Sequence, residues 1–103
     1  MGIILRRRCI TRPAGTSTVQ FEFRCPAMTK QDEWSCGYSI TLDGDLLKDG
    51  VAPGRDGIQA LRRAMGFAVL DLEWNFHQLY LALNPDDLLD LCYPGAEDFP
   101  RYA

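Results

Sequence analysis

The sequence is poor in the patterns that carry catalysis or metal binding. Its 103 residues include one histidine, His77, and four cysteines without a Cys-x-x-Cys pair, so a four-ligand zinc site has no support. No glycine-rich segment ends in the Lys-Ser/Thr of a P-loop, and no nucleophile stands in a recognisable motif beside a base. We therefore expect no metal, no cofactor and no enzymatic activity.

Long apolar runs are also missing. The most hydrophobic segment, residues 67–83, is interrupted by acidic and amide side chains and falls short of the roughly 20 apolar residues that span a bilayer. Near the start, three apolar residues precede Arg6, Arg7 and Arg8, which reverses the order of a secretory signal. These features predict a soluble, cytoplasmic protein with reduced cysteines and no membrane partner.

The charge balance is mildly acidic and unevenly spread. Eleven basic and fourteen acidic residues give a net charge of −3, which argues against a nucleic-acid-binding surface. An acidic C-terminal segment suits a basic partner, although solvated residues at a frayed terminus are the simpler interpretation. The acidic residues concerned are Asp86, Asp87, Asp90, Glu97 and Asp98.

The N-terminal half has the period-two alternation of half-buried strands. Residues 19–25 and 34–42 each place apolar side chains on one face and polar or small ones on the other. Residues 3–11 predict a strand that forms a hairpin with the first of these, and Asp43-Gly44 predicts a turn into a short strand over about 46–51. The sequence thus predicts an antiparallel sheet of about four strands within residues 3–52, with Cys25 and Cys36 buried on its inward face.

The second half changes to helical periodicity. Asp56 is placed as an N-cap, and Gln59 three residues later completes a pair similar to a capping box. We expect one long helix over about 56–84, ended by Pro85, and then an acidic tail over 85–103, all within a single α+β domain. The predicted core stripe of the helix is Ile58, Leu61, Met65, Ala68, Leu72, Phe76, Leu79 and Leu83.

A second apolar stripe follows the opposite side of this predicted helix. In one interpretation the acidic tail folds back and covers it with Leu88, Leu89, Leu91, Tyr93, Phe99 and Tyr102. In the other, a partner protein or a second copy of the chain packs there, because exposed aromatic stripes mark interaction sites. The partner-binding residues are then Phe67, Leu70, Trp74, His77, Leu81, Asp86, Asp87 and Asp90. Asp71 and Glu73, near His77, have the spacing of solvated surface pairs.

Two segments resemble a family of small uncharacterised bacterial proteins. The first is the strand Asp32-Glu33-Trp34-Ser35-Cys36-Gly37-Tyr38, and the second is the helix start Gly54-Arg55-Asp56-Gly57-Ile58-Gln59-Ala60-Leu61. The resemblance covers roughly residues 1–83 and implies a fold but no activity. An antiparallel sheet with one long helix and an acidic balance is also similar to the layout of immunity proteins that neutralise bacterial toxins, which is an analogy of fold alone.

Two functions from different classes follow as expectations. The first is a non-catalytic protein-binding module, of immunity type or an adaptor, that uses the second stripe or the acidic tail as its contact. The alternative is a homodimeric structural or small-ligand-binding domain in which two helices pair through that stripe. Trp74→Asp separates the two, because it removes partner capture in the first case and self-association in the second.

Overall fold

The structure, a computed structural model, describes residues 2–11 and 17–92, apart from the side chains of residues 89, 90 and 92. An antiparallel sheet packs against one main helix, which confirms the predicted α+β class. The elements are β1 (Ile3–Ile10), β2 (Thr18–Arg24), β3 (Ala27–Lys30), β4 (Glu33–Leu42), β5 (Asp45–Gly54), α1 (Gly57–Asn75), α2 (His77–Leu81) and α3 (Pro85–Cys92).

The sheet has five strands where about four were expected. β5 pairs with β4 from Trp34 to Leu42, so β2 and β3 share the other side of β4, and β1 pairs with β2. The extra strand arises at Cys25-Pro26, because proline has no N–H to donate to the ladder. The strand predicted over residues 19–25 corresponds to β2, and β3, which follows Pro26, was not expected.

The predicted turn at Asp43-Gly44 is confirmed. Both residues have positive φ, 51° and 91°, as tight hairpin turns between twisted strands require. The N–H of Thr18 donates to the Asp43 carboxylate at 2.8 Å, and the Asp43 N–H donates back to the Thr18 carbonyl at 2.8 Å. These bonds fix the β4–β5 turn against β2, so the register of three strands is set at one end of the sheet.

The inward face of the sheet forms the core with α1. Cys36 is fully buried as predicted, and burial raises the pKa of its thiol to about 11. Cys25 lies beyond the end of β2 and is only half-buried, so its predicted place in the core was wrong. The buried hydrophobic side chains of the strands are Cys9, Val19, Phe21, Phe23, Cys36, Tyr38, Ile40 and Ala52.

The start of α1 follows the predicted capping chemistry. The Gln59 N–H donates to the Asp56 carboxylate at 2.8 Å, and the Gln59 side-chain oxygen accepts from the Arg55 N–H at 2.9 Å. A Cβ at Gly54 would lie 2.4 Å from the Ala60 nitrogen, so the helix begins in direct contact with the end of β5. The junction between sheet and helix is therefore fixed locally.

Most of the predicted core stripe is confirmed, but its first residue lies outside the core. The stripe residues that are buried or packed against the core are Leu61, Met65, Ala68, Leu72, Phe76, Leu79 and Leu83. Ile58, expected in the core, is 68% exposed, whereas Ala60 and Ala64 are fully buried. Small side chains let the helix lie near a strand that carries Gly50, Ala52 and Gly54 on the covered side. The buried residues of α1 are Ala60, Ala64, Gly66, Ala68, Val69 and Leu72.

The long helix expected over 56–84 ends at Asn75. Phe76 has non-helical dihedral angles, φ −137° and ψ 53°, and its N–H makes the last bond of α1, to the Leu72 carbonyl. Nineteen residues span about 28 Å, close to the roughly 33 Å of a ten-residue strand such as β4. A continuous helix would run past the sheet, whereas the break returns Leu83 to the core, where it is 2% exposed.

The segment expected to be a tail begins with a helix that completes the core. The Asn84 side chain accepts from the Asp86 N–H at 3.0 Å, and Pro85 fits the first helical position. Leu88 and Leu91 are each 5% exposed. Arg7 donates to the Asp87 carbonyl at 2.8 Å and thereby ties α3 to β1.

Candidate protein-binding surface

Three residues of the second apolar stripe lie exposed on α1. The fractional exposures are 37% for Phe67, 45% for Leu70 and 79% for Trp74. We call these three residues the α1 flank. Leu88 and Leu91, which were expected to cover it in one interpretation, lie in the core instead. Tyr93, Phe99 and Tyr102 of that interpretation lie outside the described residues, as do the acidic Glu97 and Asp98.

The helix break separates two predicted contact residues from the flank. His77 and Leu81 lie in α2, where both are exposed. The His77 ring stacks on Tyr80 with centroids 6.1 Å apart, and its Nδ1 lies 3.2 Å from the Glu73 carbonyl oxygen. His77 therefore contacts the end of α1, and it does not extend the flank as one continuous helical stripe.

The acidic residues proposed as contacts lie at the start of α3. Asp86 and Asp87 occupy its first turn, where negative charge interacts favourably with the helix dipole. The Asp87 backbone is also engaged, through its carbonyl, by Arg7. The side chain of Asp90 is outside the described part of the chain. The structure thus places Asp86 and Asp87 in α3, a different helix from the one that carries the flank.

A groove that the sequence did not predict lies beside the flank. It has a volume of about 230 Å³ and is lined by Tyr38, Asp71 and Asn75 together with the α1 flank. The Tyr38 hydroxyl donates to Oδ2 of Asp71 at 2.5 Å. We call this feature the flank groove. Asp71, expected to be a solvated carboxylate near His77, instead forms a hydrogen bond to the sheet.

The contact between Tyr38 and Asp71 depends on the neighbouring strand. A Cβ at Gly50 would lie 2.5 Å from the Tyr38 ring, so the missing side chain leaves room for that ring over β5. Tyr38 is 4% exposed, and burial raises the pKa of its phenol, with further increases from the hydrogen bond to Asp71 and the charge of Asp49. The phenol therefore stays protonated and donates its proton to the carboxylate.

Sequence reasoning missed this pair because the two residues are 33 positions apart in different elements. One signal was present. Tyr38 carries a hydroxyl on the inward face of a strand whose other inward residues are apolar. A buried phenol needs a hydrogen-bond partner. Asp71 follows Phe67 by one helical turn, which puts a carboxylate at the edge of the exposed stripe.

A second groove begins where the flank groove ends. It has a volume of about 560 Å³, runs under the helix break and shares Asn75 with the flank groove. Its walls are mainly apolar. The lining residues are Leu42, Leu47, Asn75, Phe76, His77, Gln78, Leu79 and Ala82. We call it the break groove.

Neither groove has the arrangement of a metal centre. Across the parts of the chain that the structure describes, no three His, Cys, Asp or Glu side chains are grouped to hold an ion. The same residues contain no helix long and apolar enough to cross a membrane. What the grooves present is an apolar surface with one fixed carboxylate.

The two sequence segments that carry the family resemblance build the fold. Trp34 packs on Gly57, where a Cβ would lie 3.6 Å from its ring, and Asp32 has a positive φ of 60° at the β3–β4 turn. Gly54, Asp56 and Gln59 form the junction of β5 with α1. A family model described as a domain of unknown function, DUF6968, matches residues 5–83, which include both segments.

The chain belongs to this family. The match ends at Leu83, so α3 lies beyond the family's model. Neither the curated proteins nor the solved structures contain a match to the chain. The matched residues include the α1 flank, and the family's description assigns no activity to them.

Proposed function

We propose that this domain is a non-catalytic module that binds another protein through the α1 flank. The observation that carries the proposal is the exposure of Phe67, Leu70 and Trp74 around a groove with a fixed carboxylate. Aromatic residues are typical of those that dominate the binding energy at protein interfaces. The acidic net charge of −3 favours association with a basic surface.

Immunity-type neutralisation of a bacterial toxin, or an adaptor role, is the narrower form of this proposal. It rests on the analogy of layout and on the acidic balance. We propose the cytoplasm as the compartment, where the thiols of Cys9, Cys25 and Cys36 would remain free as they are in the structure.

The test is capture of a partner with a variant of the most exposed flank residue. Tagged wild-type protein and Trp74→Asp are used to capture proteins from a lysate of the native cells, and bound proteins are identified by mass spectrometry. We expect one stoichiometric foreign protein with the wild type and an affinity at least about 30-fold weaker with Trp74→Asp, since a central aromatic contact contributes about 2 kcal/mol or more.

A matched control shows whether loss of partner capture is specific to the flank or follows from a charge at any exposed apolar residue of α1. Ile58 lies in the same helix and is 68% exposed, so Ile58→Asp makes the same chemical change away from the flank. Partner capture should survive Ile58→Asp. Equal loss in both variants, or no foreign protein bound to a folded wild type, contradicts the proposal.

A homodimeric or small-ligand-binding domain is the second candidate. The break groove favours the ligand form, because about 560 Å³ of mainly apolar wall is the size of a small-molecule site. Light scattering of the purified protein distinguishes the homodimer. A dimer that dissociates on Trp74→Asp, without any captured protein, would replace the first candidate with the second.

A further inference from the structure

Asp71 is an unusual residue for the surface in which it lies. Its carboxylate lines a groove whose other walls are the α1 flank, Tyr38 and Asn75. Asp71 is half-buried, and its Oδ2 accepts the hydrogen bond from the Tyr38 hydroxyl. Among the described residues, Oδ1 of Asp71 accepts no hydrogen bond from the protein.

The charged side chain among the residues that line the flank groove is Asp71. Asp49 lies close enough to Tyr38 to act on its hydroxyl as a second negative charge beside Asp71. No basic side chain is among the six residues that line the groove. The groove therefore presents a carboxylate beside three aromatic residues, and a cation over an aromatic ring is attracted by the ring's quadrupole.

We propose that the flank groove receives a lysine or arginine side chain of the partner. The cation donates to Oδ1 of Asp71, while its methylene stem packs against Leu70 and Trp74. Tyr38 is a positioning residue, because its hydroxyl holds the other carboxylate oxygen. This inference rests on the proposed function and specifies the chemistry of the partner.

A second copy of the chain fits the groove less well than a basic partner. The basic residues of α1 are Arg62 and Arg63, and Arg63 shares the flank's side of the helix at helical spacing from Phe67. Its guanidinium already donates to the Pro53 carbonyl, at 3.4 Å. Two copies joined through the flank would also bring their Asp71 carboxylates toward each other.

The experiment uses a short peptide as the probe. Acetyl-Leu-Arg-Leu-amide and its citrulline counterpart have nearly the same shape and differ in charge. Each is titrated into the full chain, and the indole N–H resonance of Trp74 is followed by NMR, with Trp34 as an internal reference. We expect saturable shifts at Trp74 and binding of the arginine peptide about fivefold tighter than the citrulline peptide.

Two variants test which carboxylate causes the tighter binding of the arginine peptide. Asp71→Asn keeps an oxygen that can accept the hydrogen bond from Tyr38, so this variant should remain folded. Because it lacks the negative charge, it should bind the arginine and citrulline peptides equally. Glu73→Gln removes the same charge two positions along α1 and should keep the preference. Equal binding of the two peptides, no saturable shift, or a preference that survives Asp71→Asn overturns the inference.

The failure of this inference differs from the failure of the proposed function. If a captured partner is lost on Trp74→Asp but held with unchanged affinity by Asp71→Asn, the binding module stands and the basic anchor is wrong. If neither variant affects capture, both proposals fail. A wild-type dimer that dissociates on Asp71→Asn and on Arg63→Gln would make Arg63 of a second copy the occupant, which also overturns the inference.

Discussion

At the scale of single residues, the contact between Tyr38 and Asp71 connects the core to the candidate site. Tyr38 belongs to β4 and is buried, whereas Asp71 belongs to α1 and lines the flank groove. One hydrogen bond therefore both ties α1 to the sheet and sets the orientation of the carboxylate. Its contribution to stability can be measured apart from its contribution to binding.

We predict that Tyr38→Phe stays folded but loses about 1–2 kcal/mol of unfolding free energy at pH 7, because a hydrogen bond to a carboxylate is removed. The folded-state pKa of Tyr38 is raised above the unfolded value of 10.0, so its contribution is complete below pH 10 and is lost as the pH rises through the folded pKa. Urea unfolding of both proteins at pH 7, 9 and 11 checks this.

The difference between wild type and Tyr38→Phe should shrink by up to about 1 kcal/mol between pH 9 and pH 11. Cys9 and Cys36 also have a raised pKa, but both proteins contain them, so their effect cancels in the difference. A difference that is constant or grows with pH would show that Tyr38 does not donate to Asp71.

At the scale of elements, sequence reasoning succeeded where the signal is local. The strand alternation, the Asp43-Gly44 turn and the Asp56–Gln59 cap each depend on residues within a few positions of one another. Each of these features is determined by interactions within one short segment of the chain. Strand β3 was not predicted, because its four residues are all exposed and carry no alternation of apolar and polar side chains.

The errors concern the helical layer, where tertiary packing decides. Phe76, Leu79 and Leu83 keep helical spacing, so periodicity alone cannot show that the helix breaks at Phe76. Ile58 was wrongly placed in the core because alanines contribute little to an apolar pattern, although Ala60 and Ala64 are the fully buried residues at this end of α1. The Tyr38–Asp71 contact was missed because it forms only after both elements are in place.

We predict that Gly54→Ala destabilises the junction of β5 with α1 by about 1–3 kcal/mol, because overpacking forces the backbone to move. The new methyl group would meet backbone atoms of Ala60 at 2.4 and 2.8 Å, which a side-chain rotation cannot relieve. Thermal unfolding followed by circular dichroism measures the loss. Gly2→Ala is the control, since no atom lies within 4 Å of that position, and a similar loss in both variants would contradict the steric explanation.

At the scale of the whole molecule, one side of α1 is covered by α3 and another side is exposed. α3 packs against α1 and is tied to β1 by Arg7, whereas the α1 flank stays exposed beside the flank groove. The segment that one interpretation assigned to covering the flank thus begins by filling the core. This exposed flank beside a groove is the surface on which the proposed binding function rests.

Because the family match ends at Leu83, α3 could be taken for an accessory segment, and its place in the core argues against this. We predict that Leu88→Ala lowers the unfolding free energy by about 2–4 kcal/mol, since it leaves a cavity beneath α3. Leu81→Ala is the matched control, because Leu81 is 59% exposed where Leu88 is 5%, and it should cost under about 1 kcal/mol. Urea unfolding of the wild type and of the two variants measures these losses. Equal, small losses would mean that α3 is not part of the core and that the segment from Pro85 is free to cover the flank, which would also weaken the proposed binding surface.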